Sequence, residues 1–183
     1  LEDLNPLFIA ATTCNDASLD IGDPTERALK VLAEKGKVKA KERKSEVPFS
    51  SDKKYMTVTD TSGVIHMKGA LEVVLKKCKY IEENGKKRLL TAKDKKLIHQ
   101  KNTEFSNEAL RVLAFAYGKK DLAFLGIAGM IDPPREEVKK AIGLCKVAGI
   151  RTVMITGDHE LTAKAVAKKI GIKGNSITGT ELD

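Results

Sequence analysis

From residue 122 to residue 170 the chain reads strand, helix, strand, helix, and this alternation limits its fold more than any other feature. Residues 122–131 form a nearly apolar run that Asp132-Pro133-Pro134 interrupts. Residues 135–148 place Val138, Ala141, Ile142, Cys145 and Ala148 on one helical face, and Gly149 ends that helix. A short apolar run at 152–155 predicts a second strand. Thr156-Gly157-Asp158 then turns the chain, and Asp158 is expected to cap a helix reaching Ile170 before Gly171. A β-α-β-α order predicts a parallel sheet with right-handed crossovers. Two strands, or three with 176–178, fall short of the roughly five or six of an ordinary sheet. Residues 121–183 are therefore expected to be part of a larger α/β domain.

The first 120 residues have a different texture. Asn5-Pro6 predicts a helix start, with Asn5 as the cap and Cys14 near the end. Asp23-Pro24-Thr25-Glu26 predicts a second, with Asp23 capping, Glu26 placed to reach back, and Gly36 as the stop. Runs 55–60 and 64–68 alternate apolar and polar residues around Thr61-Ser62-Gly63, the pattern of a hairpin. Residues 70–79 read as a helix. Thr91, with Asp94 three positions on, starts another that reaches about Leu110, and 111–117 reads as a strand. Strands and helices in this mixture predict an α+β unit, an antiparallel sheet flanked by helices.

Composition narrows the function classes. Hydrophobic residues make up 42% and charged residues 32% of 183, which suits a chain that buries a core. No apolar run approaches the roughly 20 residues of a membrane-spanning helix. The chain opens at Leu1 rather than Met, as a piece of something longer would. Cys14, Cys78 and Cys145 are far apart and odd in number, so neither a disulfide framework nor a zinc site is expected. None of His66, His99 and His159 has ligand spacing with another His or Cys, and no protein metal site is expected. The net charge of +8 is uneven: residues 1–120 hold 24 Lys/Arg against 17 Asp/Glu, residues 121–183 only 9 against 8. A basic face of this kind suits a nucleotide, a nucleic acid or an anionic surface, or is simply solvated.

Several segments carry possible chemistry. Thr156 stands at a strand end with a helix start behind it, where free N–H groups favour anions. Its hydroxyl and the Gly157 backbone can hold a phosphoryl group; an ordinary strand–turn–helix capped by Asp158 is the plainer account. Arg135 can offer a planar fork to a phosphate, although two prolines before a helix also make a stiff turn. Phe49, in Pro48-Phe49-Ser50-Ser51-Asp52-Lys53-Lys54-Tyr55-Met56, can stack on a base or plug the core. Lys68, in Met67-Lys68-Gly69-Ala70, can meet a phosphate or a base edge or lie on the surface, and Arg111 is equally open. Capping alone accounts for Glu26. Neither GxxxxGK[ST] nor GxGxxG occurs.

Read in order, Asp23-Pro24-Thr25-Glu26, the Phe49 segment, Met67-Lys68-Gly69-Ala70, Arg111-Val112-Leu113-Ala114-Phe115-Ala116, Asp132-Pro133-Pro134-Arg135 and Met154-Ile155-Thr156-Gly157-Asp158 resemble the cytoplasmic ATP-binding region of P-type cation-transporting ATPases. The calcium-pump-like class is closest, and Cys14-Asn15-Asp16-Ala17-Ser18-Leu19 also has counterparts there. The resemblance covers nearly the whole chain. It implies a nucleotide-binding domain over 1–120 and part of a haloacid-dehalogenase-like phosphorylation domain over 121–183. It implies that Phe49 stacks on adenine, Glu26 approaches the adenine amino group, Lys68 lines the pocket and Arg111 reaches the phosphate side. Thr156 would contact the phosphoryl group in transfer, with Gly157, Asp158 and Arg135 near the nucleotide.

The family's phosphorylated aspartate lies in an Asp-Lys-Thr-Gly-Thr segment, and its Mg2+ carboxylates in Thr-Gly-Asp-Gly-Val-Asn-Asp; this sequence holds neither. The chain is therefore expected to bind ATP, as its Mg2+ complex, without hydrolysing it. Its expected partners are the remaining phosphorylation, actuator and transmembrane domains of one pump, with the piece itself a soluble cytoplasmic part of a membrane protein and no nucleic acid bound. Two other readings stay open: a soluble phosphohydrolase of related fold, which would show Mg2+-dependent phosphatase activity, and a basic nucleic-acid-binding module, which would bind with steep salt dependence.

Overall fold

The computed structural model describes residues 4–131, 134–157 and 160–182. Two compact units divide the chain: 1–98 with 112–128, and 99–111 with 129–183.

The first unit is built on seven strands: β1 (Arg43–Val47), β2 (Tyr55–Asp60), β3 (Ile65–Gly69), β4 (Cys78–Glu83), β5 (Lys86–Leu89), β6 (Arg111–Gly118) and β7 (Leu122–Met130), in the order β1-β2-β3-β6-β7-β4-β5. With the helices α1 (Asn5–Thr13), α2 (Pro24–Lys35), α3 (Leu71–Lys77) and α4 (Ala92–Asn107), this is the expected α+β arrangement. The sheet is mixed, because β4 runs parallel to β7 while β1, β2, β3 and β6 pair antiparallel. β7 was expected to open the α/β segment. It lies instead in this sheet, since its Leu122–Phe124 stretch finds a ladder on β4.

Register separates the two faces. Met56 lies opposite Lys68, Val58 opposite His66, and Lys68 in turn opposite Phe115. Directly paired residues share a face. One face therefore carries Met56, Val58, His66, Lys68 and Phe115, all buried, with Cys14 after α1 packed on Met56 and Val58. The other carries Met67, opposite Ala116, and packs on Leu71, Val74 and Leu75 of α3. Both faces of β3 are thus covered. Burying one of these larger apolar side chains contributes about 1.5–3 kcal/mol.

Start signals largely hold. Asp23 caps α2, accepting from the N–H groups of Thr25 and Glu26. Thr91 and Asp94 exchange bonds at the start of α4: Thr91 N–H and Oγ1 donate to Asp94 Oδ2, and Asp94 N–H to Thr91 Oγ1. Asn5 does not cap α1. Leu4 takes that position without a side-chain bond, and Asn5 is already helical. β1, β4 and β5 had no counterpart in the sequence reading. β4 and β5 join through Asn84-Gly85, both at positive φ (52° and 72°), the geometry of a two-residue hairpin turn.

The second unit holds the C-terminal part of α4 with α5 (Glu136–Val147), α6 (Glu160–Ile170) and α7 (Gly179–Leu182). α5 touches α6, and α6 is tied to the α4 end by Lys169 Nζ donating to the Glu108 carbonyl at 3.0 Å. Residues 152–155, expected to form a strand, have no regular structure, and neither do 176–178. A strand needs a neighbour to take its backbone groups, and among the described residues none lies beside 152–155. Val153 and Ile155 are consequently exposed.

Candidate functional site

Lys68 is the anomaly of the sheet. Strand alternation puts its side chain on an apolar face, only 5% exposed, between Met56 and Phe115 in the ladder. A buried ammonium needs a carboxylate. Glu26, on the first turn of α2, supplies one: its Oε1 accepts from Lys68 Nζ at 2.6 Å. Its Oε2 accepts from the Asp16 N–H at 3.1 Å. Glu26 thus uses both carboxylate oxygens across elements, a role that capping alone does not explain.

The loop before α2 is itself held. Asn15 Nδ2 donates to the Glu26 carbonyl at 2.7 Å, and its Oδ1 accepts from the Ala17 N–H. Arg43 of β1 donates from one guanidinium nitrogen to Asp16 Oδ1 and Glu46 Oε2, and from the other to the Asn15 carbonyl, each at 2.7 Å. Its burial lowers the guanidinium pKa, but the bonds to Asp16 and Glu46 outweigh that cost and leave it raised.

Phe49 lies in the connection between β1 and β2, and it is 61% exposed. It does not plug the core. The same connection ends against the Lys68 strand: the Ala70 N–H donates to the Lys54 carbonyl at 2.9 Å. A Cβ on Gly69 would stand 2.6 Å from that oxygen and 2.7 Å from Tyr55 Cβ, so this close approach requires glycine. Lys68 is therefore held from below by Glu26, and the strand that bears it abuts the segment carrying an exposed aromatic ring.

The remaining sequence candidates belong to the second unit. Arg111 opens β6 and is exposed. Arg135 occupies the N-cap position of α5, exposed and without a side-chain capping bond. Thr156 and Gly157 are exposed in irregular chain, and Asp158 lies outside the described residues. Among the described residues no three His, Cys, Asp or Glu side chains converge as metal ligands would.

Sequence reasoning missed Asn15, Asp16 and Arg43 as parts of the site. The signal for Arg43 was faint but present, an arginine among the lysines of 35–44, where a fork of donors differs from a point charge. It also missed the buried pair behind the β2–β3 turn. His66 Nε2 is 3.0 Å from Asp60 Oδ2, while Asp60 Oδ1 accepts from Ser62 Oγ and from the Ser62 and Val64 N–H groups. Burial raises the Asp60 pKa, but bonds from Ser62, His66 and Val64 prevail and hold its carboxyl well below the usual range.

At the opposite end of β3 and β6, where Ile65 pairs with Gly118 rather than Gly69 with Ala114, an open cleft of about 630 Å³ is lined by Val64, Tyr80, Lys87 and 117–121. Lys87 lies over the Tyr80 ring at 4.4 Å. This cleft is basic, but it holds none of the residues that the motifs single out.

Comparison with known proteins places these observations. Residues 6–137 match the family described as P-type ATPase, cytoplasmic domain N. The chain is 44% identical over 198 residues to calcium-transporting ATPase 1 of Bacillus cereus, covering 93% of this chain and 22% of that protein. It is 38% identical over 194 residues to human calcium-transporting ATPase type 2C member 1, covering 95% and 21%. Cation-transporting ATPase pma1 of Synechocystis is 36% identical over 200 residues, covering 92% and 22%. The chain thus spans about a fifth of the length of these curated relatives, and a mixed sheet of seven strands with a carboxylate-held lysine at its centre belongs, over most of its sequence, to the P-type ATPase cytoplasmic domain N family.

Proposed function

We propose that this chain holds ATP for a P-type cation pump, calcium being the ion named for two of the three relatives described above. The observation that carries the reading is the Glu26–Lys68 pair, its lysine buried in the sheet and its carboxylate half-buried on α2, with Lys68 next along the chain to the close contact with the Phe49 segment. The exposed ring of Phe49 offers a face for adenine, and stacking of this kind contributes about 1–3 kcal/mol per base. Glu26 accepts hydrogen bonds, which suits the amino group of adenine and rejects the carbonyl that guanine carries at the same position. Lys68 lines the pocket, fixed by Glu26 so that its position costs no ordering when the nucleotide enters.

The phosphate side of the same reading falls to the residues of the remaining motifs. Arg111 reaches towards the phosphates, Arg135 and Gly157 lie near the nucleotide with Asp158, and Thr156 offers its hydroxyl to the phosphoryl group in transfer. The seven-stranded unit, β7 included, acts as the nucleotide-binding domain, and the chain from α5 onward as part of the phosphorylation domain. The aspartate that accepts the phosphoryl group lies in the part of the pump that this sequence lacks, so the chain binds ATP and does not turn it over. Magnesium enters with the nucleotide, as its Mg2+ complex. In the intact pump the transfer forms an aspartyl-phosphate that drives cation movement through the transmembrane domains, with this region on the cytoplasmic side.

The test is a titration of the chain with ATP, followed by NMR beside GTP and beside Phe49→Ala. Shifts at Glu26, Phe49, Lys68 and Arg111, weaker with GTP and lost in the variant, support the reading. No shifts at these residues at millimolar ATP would sink it.

A further inference from the structure

We infer that Arg43 is a positioning residue for nucleotide selection, acting through the loop 14–17 on the Glu26 carboxylate. The inference rests on the proposed nucleotide site and adds a residue that none of its motifs contains.

The geometry is a chain of bonds from β1 to β3. Arg43 grips the loop at two points, the Asn15 carbonyl and Asp16 Oδ1, both at 2.7 Å. It is anchored on its own strand by Glu46, also at 2.7 Å. Asn15 and Asp16 are the residues that reach Glu26: Asn15 Nδ2 to its carbonyl at 2.7 Å, and the Asp16 N–H to its Oε2 at 3.1 Å. The other carboxylate oxygen holds Lys68. Glu26 is therefore oriented from two sides, by a lysine from the sheet and by a loop whose position a guanidinium sets. Without the Asp16 N–H, the carboxylate keeps one partner and regains rotation about its side-chain bonds. The group expected to distinguish adenine from guanine would then be less well aimed, since a group poised by fixed partners loses less freedom on binding.

Lysine cannot replace arginine here. Its single nitrogen reaches one of these acceptors well, whereas the guanidinium serves the carbonyl and the carboxylates from separate nitrogens. Arg43→Lys should therefore recover the charge but not the aim.

The experiment measures ATP and GTP affinity by calorimetry for the wild-type chain, Arg43→Met, Arg43→Lys, Glu26→Gln and the double variant Arg43→Met/Glu26→Gln, with the Glu26 carboxyl 13C shift read in the first three. Arg43→Met should weaken ATP about tenfold, the size of one lost charged hydrogen bond, and GTP by less. Arg43→Lys should fall between. In the Glu26→Gln background the Arg43 effect should shrink to less than about twofold, as coupled residues require. An unchanged ATP to GTP ratio in Arg43→Met, or an Arg43 effect undiminished without the Glu26 carboxylate, overturns the inference. Failure of the wild-type chain to bind ATP overturns the proposed function. The Glu26 carboxyl shift then decides the contact alone: displaced in Arg43→Met it upholds the positioning, unmoved it refutes it. Should Arg43→Met not fold, Asp16→Asn removes one grip while keeping the backbone donor and is read by the same ratio.

Discussion

Lys68 and Ile155 occupy each other's expected places. The lysine is 5% exposed in the middle of a sheet, and the isoleucine is 94% exposed in irregular chain. The first unit has more strands than the sequence suggests, and its surplus of packing lets it enclose a charge once a carboxylate is supplied. In the second unit, residues 152–155 have no strand beside them among the described residues, so apolar side chains that fit a parallel sheet face outward: Val153 and Ile155. Burial is thus decided by what lies alongside a segment, not by its own hydropathy. Substitutions that exchange polar and apolar character should therefore act strongly in the sheet and weakly at 152–155.

The largest effect is expected at Lys68. Glu26→Ala leaves the buried Lys68 charge without its partner, and such a loss costs about 3–5 kcal/mol; Lys68→Ala, which leaves the half-buried Glu26 carboxylate, costs less. The double replacement Glu26→Met/Lys68→Met should recover most of it, because a well-packed apolar pair replaces buried ions at little cost. Urea unfolding monitored on the first unit tests both. A loss near zero in the single variants would mean that water reaches Lys68, and the contrast with Ile155 would vanish.

Next is the pair behind the β2–β3 turn. Because the folded pKa of Asp60 is depressed, its ionised form contributes stability above the unfolded value of about 3.9. That contribution is lost as pH falls from there through the folded pKa. Asp60→Asn should cost about 1–3 kcal/mol at neutral pH, the range for a buried hydrogen-bonding group left short of a partner, and should flatten the acid limb of the stability curve. A wild-type curve with no fall below about pH 4 would refute this account.

Both sites show what was legible. The β2–β3 hairpin could be read from Met56 and Val58 alternating around a Ser-Gly turn. In β3, however, His66 and Lys68 alternate with Ile65 and Met67, a pattern that reads as a polar outer face. Covering both faces of β3 depends on α1 and α3, which alternation within one strand does not report. From its own neighbourhood Glu26 reads only as a capping residue, because its partner lies 42 positions away; the family resemblance alone implies a role at the nucleotide. β1, with four of its five residues exposed, and β5, wholly exposed, carry mostly charged residues and lack the apolar alternation of a half-buried strand. Asn84-Gly85 is a hairpin-turn signal between β4 and β5, but no apolar alternation follows it in the exposed β5. At 152–155 the apolar run was read correctly as apolar and wrongly as a strand.

Thiol chemistry sharpens the contrast without altering stability. Burial pushes the Cys14 and Cys78 thiols up to about 12, so neither supplies the reactive thiolate near neutral pH. Cys14 also donates from Sγ to the His66 carbonyl. Cys145 of α5, in the second unit, is partly exposed. A disulfide reagent at pH 8 should label Cys145 first, and the other two only as the first unit unfolds. Three thiols reacting at one rate would mean that the sheet unit is no more closed than the second unit.

The smallest effect is expected at Ile155. A residue this exposed has almost no apolar area to lose, so Ile155→Ser should change stability by less than about 0.5 kcal/mol, in contrast with any comparable change in β2 or β3. The result separates two causes of exposure. If the side chain faces water in solution, the variant and the wild type unfold together at every protein concentration. If a second copy covers it in solution, Ile155→Ser destabilises, and the loss grows with protein concentration, because association stabilises by mass action. A concentration-dependent loss above 1 kcal/mol would show that the apolar segment 150–155 does have a neighbour, and that the two units differ in where that neighbour comes from, not in whether they have one.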